Sequence, residues 1–264
     1  MSIVDDIRLK LVRAEEHLDH FKAVVFGQKG PIYAPHSVGV HYEPLRHNIS
    51  VTSRALEPEQ RRGWGILIGD VIHQTRSSLD HLVYALATRS ARQLTEKEAR
   101  SLSFPICVKA TDFAADWRVS QGFFEGILGS KELTHIEAAQ PYLRGRSELW
   151  ILKGLDDIDK HRSVLVLDNR VQVKGTAYSE DGAMSHQFRV VKDPTPPETQ
   201  VFRLGWPHPL QPAAVSVDDI SRQIVFAETN GLCDGAFVFP LMRDIIAETL
   251  QVLIDFDEAH FFGF

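Results

Sequence analysis

The sequence predicts an α+β fold: an N-terminal antiparallel helical bundle, a C-terminal antiparallel β-sheet segment, and a final helix packing back on the bundle. Three observations carry this. Apolar residues recur every three or four positions over two long N-terminal stretches and one C-terminal stretch, which is the helical period. From about residue 163 to 228 the pattern changes to short runs rich in Val, Ile, Thr and Phe, divided by proline clusters, which read as strands. Helices followed by strands and then a helix suit α+β architecture. The change divides the chain into a helical bundle with the polar motifs (1–162) and a β-rich segment plus C-terminal helix (163–264), expected to form one integrated domain. A chain of 264 residues, 44% hydrophobic, can bury a sizeable core.

The first helix is expected from about Ile3 to Phe26. Ser2 with Asp5 resembles a capping box, and Val4, Ile7, Leu11, Ala14, Leu18, Phe21 and Val25 form one stripe. Gly27 and Gly30-Pro31 stop it. Residues 31–55 carry three prolines and short alternating runs, Val38-Val40-Tyr42 and Ile49-Val51, consistent with a hairpin. The second helix is expected from about Glu57 to Ser90, with Pro58 suited to its first turn. Ile68, Ile72, Thr75, Leu79, Leu82 and Leu86 make its apolar stripe, and Gly63, Gly65 and Gly69 permit close packing. One or two short helices are expected over 91–129, around a turn at Phe104-Pro105. Ser130 is expected to cap a helix ending before Pro141, and Ser147 to cap the next, SELWILKGLDDIDKHR. Strands are expected at Val164–Leu167, Val171–Val173, Met184–Val191, Thr199–Trp206 and Gln223–Glu228, in a sheet of about four strands. Pro194, Pro196 and Pro197 mark one loop, and Pro207, Pro209 and Pro212 another. Pro240 is expected to open the last helix, with Met242, Ile245, Ile246, Thr249, Leu253 and Phe256 facing the core.

Composition narrows the function. The net charge of −6 is not that of a general nucleic-acid binder, whose affinity comes from counterion release, so any RNA contact needs a local basic patch. Cys107 and Cys233 are too few and too far apart for a disulfide framework or a cysteine zinc site, and are expected as small buried residues. No apolar run approaches the roughly 18 residues of a membrane span, and the start MSIVDDIRLK lacks the features of a signal peptide. The expectation is a cytoplasmic protein without a membrane partner. No P-loop, GxGxxG after a strand, or GxSxG elbow is present, so no nucleotide or other cofactor is expected.

Three polar stretches stand out. In HQTRSSLDHL (His73–Leu82), helical spacing puts His73, Arg76 and Asp80 on one flank, with an Arg76–Asp80 ion pair at i,i+4. His81 falls about 140° around the helix from Arg76. The bland alternative is a solvated face with one weak salt bridge. In DDIDKHR (Asp156–Arg162), Asp159 and Arg162 fall near the apolar side set by Leu149, Leu152, Leu155 and Ile158, while Asp157 and His161 point away. Charges so placed need partners, either each other or Arg76 and Asp80 across the bundle. A binding role for Asp159, His161 and Arg162 and a structural ion-pair network both remain open. In HLDH (His17–His20), two histidines at i,i+3 could share a metal with His73, His81 or His161. Without an HExxH or carboxylate pattern, no metal site is assigned.

RSSLDHL (Arg76–Leu82), FPI (Phe104–Ile106) and LDDIDKHR (Leu155–Arg162) together resemble a set of uncharacterised bacterial helical-bundle proteins over roughly the first 165 residues. Arg76 to His81 also resembles the R-x-x-x-x-H motif of the HEPN superfamily, although that family favours Asn or Asp after the arginine and this chain has Ser77. The resemblance implies a metal-independent endoribonuclease of toxin or defence type, acting on RNA as a homodimer. His81 would assist attack of the 2′-hydroxyl and Arg76 would hold the phosphate, with Asp80 and His73 beside them. A histidine metal site and a non-catalytic binding or assembly role are the alternatives.

Overall fold

In the computed structural model the described residues are 3–26, 38–43, 48–53, 58–89, 93–145, 148–161, 164–179, 185–192, 200–203 and 212–259. Helix α1 (Ile3–Phe26) is followed by strands β1 (Val38–Glu43) and β2 (Asn48–Ser53), then by the long helix α2 (Pro58–Thr88). Ile7, Leu11, Ala14, Leu18 and Phe21 are buried along α1, and every residue of the stripe predicted for α2 is buried. The two helices run antiparallel. The ring of Phe21, near the end of α1, meets Trp64, near the start of α2, edge-on at 6.0 Å. The expected caps Ser2 and Ser147 lie outside the described residues.

Residues 91–129 hold more helix than expected: α3 (Glu96–Ser101), α4 (Ala110–Ala115), α5 (Trp117–Ser120) and α6 (Phe123–Ile127). Thr95 caps α3 in a full capping box with Glu98, which lets so short a helix start. Helices α7 (Ser130–Ala138) and α8 (Pro141–Arg144) follow, then α9 (Glu148–His161). Ser130 is the first residue of α7 rather than its cap, a position Gly129 takes without a side-chain bond.

The C-terminal half forms an antiparallel sheet ordered β4-β3-β6, from β3 (Val166–Ser179), β4 (Ser185–Lys192) and β6 (Pro212–Ala227). The expected strands at Val164–Leu167 and Val171–Val173 are one continuous β3. The expected loop at Pro212 is where β6 begins, because a first strand position does not need the missing N–H. β5 (Gln200–Arg203) leaves this group and pairs with β2, so the predicted sheet of about four strands is two sheets of three. Helix α10 (Val238–Glu258) starts two residues before Pro240, and its predicted stripe is wholly buried. It packs against α1, α2 and α9, and the core cluster draws Leu167, Ile224 and Phe226 from the sheet and Leu165 from just before β3, together with the helices. Arg144 of α8 ties into α10 by donating to the buried Glu248 at 3.0 Å and bonding Asp255.

Two glycines of α2 differ in surroundings. A Cβ on Gly65 would lie 1.9 Å from the backbone oxygen of Leu165, where α2 crosses the approach to β3. A Cβ on Gly63 would meet nothing within 4 Å. Helix propensity favours alanine over glycine by about 1 kcal/mol in a helix interior, so Gly63→Ala should raise stability by about that amount. At Gly65 the clash with fixed backbone dominates, and Gly65→Ala should lose about 1–3 kcal/mol. Denaturant unfolding of both variants checks the contrast, and equal effects would sink it.

Candidate functional site

The polar centre of α2 is built around an extended stretch of backbone. Leu102, Phe104, Pro105, Ile106 and Cys107 are buried between helices and belong to no sheet. Backbone polar groups withdrawn from water need partners, and here side chains supply them. Asp80 Oδ1 accepts from Phe104 N at 2.9 Å, and Arg76 Nη2 donates to Phe104 O at 2.7 Å. Arg76 Nη2 and Asp80 Oδ1 also pair with each other at 3.0 Å. Gln140, fully buried between α7 and α8, accepts from Cys107 N at 2.9 Å and donates to Pro105 O at 2.9 Å. Arg118 of α5 donates to Ser103 O at 2.9 Å and is held by Asp116 on two nitrogens. Pro105 brings no N–H of its own, so the segment has one donor fewer to satisfy.

The predicted Arg76–Asp80 pair is therefore present, and the side chain of Arg76 is only 12% exposed. Arg76 Nη1 is enclosed with no hydrogen-bond partner among the described residues. His81 takes another direction. It is exposed and lies within electrostatic reach of Lys10 and Asp6 on α1. Burial, and after it the charge of Lys10, lowers its pKa against the opposing pull of Asp80 and Asp6. Within one chain Arg76 and His81 do not converge.

The second predicted group meets α2 elsewhere. Asp159 was expected to be buried beside Arg76 or Asp80. It is instead half-buried against Gly69, two turns earlier, where a Cβ would come 2.9 Å from Asp159 Oδ1. The reason is steric, since Gly69 is the place where α2 leaves room for a carboxylate. Burial raises the Asp159 pKa, the carboxylates of Asp156 and Asp70 add to this, and His73 and Lys160 oppose it. Asp156 itself is buried and takes an ion pair from Lys160 at 2.9 Å. His73 thus stands, exposed, with Asp159 and Asp70 rather than with the Arg76–Asp80 pair. His161 is the last residue of α9, and Arg162 lies outside the described residues.

On α1, His17 is half-buried and His20 exposed. Among the described residues no three His, Cys, Asp or Glu side chains are grouped to hold a metal ion. Cys107 and Cys233 are buried and free, as their spacing predicted, and burial pushes the Cys233 thiol up to about 11.

One polar cleft escaped the sequence. Asp168, Arg170, Glu228 and Asp234 line a space of about 390 Å³ at the meeting of β3, β6 and the loop before α10. Its Asp168 pairs with Arg61 of α2 at 2.8 Å. Asp234 accepts from the Thr229 and Gly231 amides and the Thr229 hydroxyl, which lowers its pKa and allows the left-handed backbone at Glu228 and Asn230. The only sequence signal is the turn-rich run ETNGLCDG, and its partners lie up to about 170 residues away.

Comparison with protein-family models, with curated proteins and with solved structures gives no match for this chain.

Two outcomes follow from this geometry. Asp80→Ala leaves Phe104 N unsatisfied and Arg76 with only the Phe104 carbonyl, and should lower stability by about 1–3 kcal/mol, the cost of orphaning a largely buried backbone donor. His81→Ala should change it by less than about 0.5 kcal/mol. Thermal or denaturant melts separate them, and a silent Asp80→Ala would refute the clamp. For Asp159, a folded pKa raised above the ordinary value means that the protonated form favours folding and ionisation opposes it. That contribution is full below about pH 3.9, the unfolded Asp value, and is lost as pH rises through the folded pKa. Asp159→Asn should therefore raise the melting temperature at pH 7 and give progressively less as pH falls. A lower melting temperature at pH 7 would contradict this.

Proposed function

We propose that this chain is a non-catalytic binding or assembly protein whose Arg76–Asp80 pair sets the register of its helices. The supporting observation is that both side chains are committed to the backbone of one residue, Phe104. An arginine that recognises phosphate offers its guanidinium edge to the anion. Here one nitrogen of Arg76 is bonded to the Phe104 carbonyl and the other is enclosed. Taking Arg76 away from Phe104 would also unsettle the FPI segment, whose Phe104 and Ile106 are core residues.

A specific observation favours a second reading, the HEPN-like endoribonuclease working on RNA as a cytoplasmic homodimer. His81 is exposed and its pKa is lowered. An uncharged imidazole at neutral pH is the form that accepts the 2′-hydroxyl proton. In this reading Arg76 releases Phe104 to meet the phosphate.

Incubation of the full chain with RNA in EDTA decides between them. The first reading expects intact RNA, with the Arg76→Ala variant destabilised. Cleavage that persists in EDTA, leaves a 2′,3′-cyclic phosphate and vanishes in a His81→Ala variant of unchanged melting temperature would overturn it in favour of the second.

A further inference from the structure

Helices α1 and α10 lie antiparallel, with Arg8 and Asp257 paired at 2.8 Å at one end. Farther along, they border a groove of about 370 Å³ that opens to solvent. The buried Leu18 and Ile246 lie beneath it; Glu15 and Asp19 line it from α1, and Arg243 and the exposed Ala247 from α10. Opposite charges thus face each other across one groove, yet Glu15, Asp19 and Arg243 form no ion pair with one another among the described residues. Other surface arginines do pair within the chain: Arg8 with Asp257, Arg13 with Glu16 and Arg100 with Glu96. The groove also exposes Leu250, at 36%.

We propose that this α1–α10 face is a self-association surface that takes a second copy of the chain. The charge pattern is self-complementary. A two-fold axis running along the groove places α10 of each copy over α1 of the other, which brings each Arg243 to the other copy's Asp19 and Glu15. Ala247 has no side chain beyond Cβ and lets the helices approach. Leu250, which lines the groove, then supplies apolar area beside the charges. Each helix is roughly 30 Å long and about 10 Å across, so the pair offers on the order of 600 Å² before side chains are added, close to the roughly 800 Å² per partner of a specific interface. The surface contains neither Arg76 nor His81, so its test is independent of the ribonuclease assay.

Sedimentation of the full chain from about 1 to about 100 µM should show a monomer–dimer equilibrium that weakens as salt screens the charge pairs. Arg243→Glu should raise the dimer Kd about tenfold or more, since it sets like charges against each other. Leu250→Asp should do the same. A chain carrying Arg243→Glu, Glu15→Lys and Asp19→Lys together restores the complementarity and should recover the dimer. Circular dichroism melts show that each variant is folded, which is expected because all four positions are at the surface. A monomer throughout the range would overturn the proposal and leave the groove to a different protein. A dimer indifferent to Arg243→Glu and Leu250→Asp would place the contact elsewhere and overturn it equally, as would a reversed-charge chain no tighter than Arg243→Glu alone.

Discussion

The bundle depends on one constraint: an extended backbone runs through a helical core and must find its hydrogen bonds there. A strand would pair with a neighbour and a helix with itself, but residues 102–107 do neither. Each buried peptide group left without a partner would cost about 1–3 kcal/mol. Five such groups, from Ser103 O to Cys107 N, are met by Asp80, Arg76, Arg118 and Gln140. These side chains come from α2, α5 and the α7–α8 turn, so the segment ties three parts of the bundle at once. The ionised members are the effective ones, because charge-assisted bonds are about twice as strong as neutral ones.

This constraint governs what the polar residues of α2 can do. Arg76 and Asp80 resemble the start of a catalytic motif in sequence, and in the fold both bond to the backbone of Phe104. His81, one residue beyond Asp80, is outside that arrangement and faces α1. The acidic group at Asp159, Asp156 and Asp70 follows a different logic, since it exists where Gly69 lets α9 come close. Desolvation there works against the charged form, whereas at Asp116 the bonds and charge of Arg118 outweigh burial and lower the pKa. Two aspartates of similar burial thus shift in opposite directions, and the neighbouring donors decide which way.

Much of the architecture is legible from the sequence. The stripes of α1, α2 and α10 predicted the buried faces almost residue for residue, because a 3.6-residue period along a single segment is set locally. The i,i+4 spacing of Arg76 and Asp80 predicted their ion pair for the same reason. Short elements were less legible. Helices α3 to α6 have four to six residues each, too few for a period to show, and their capping is the main local cue.

By itself, then, the sequence determined the helices long enough to carry a repeating face, the α+β order of elements and the burial of the two cysteines. Tertiary structure alone decided the rest. It decided that β5 joins β2 across about 150 residues, that Asp159 meets Gly69 rather than Arg76, and that the partner of Arg76 and Asp80 is the backbone of Phe104. Those outcomes depend on which surfaces meet once the chain is packed, and on buried peptide groups that carry no side-chain identity. A carbonyl or amide in need of a partner looks the same at every position of a sequence, and only the fold shows which ones water has left.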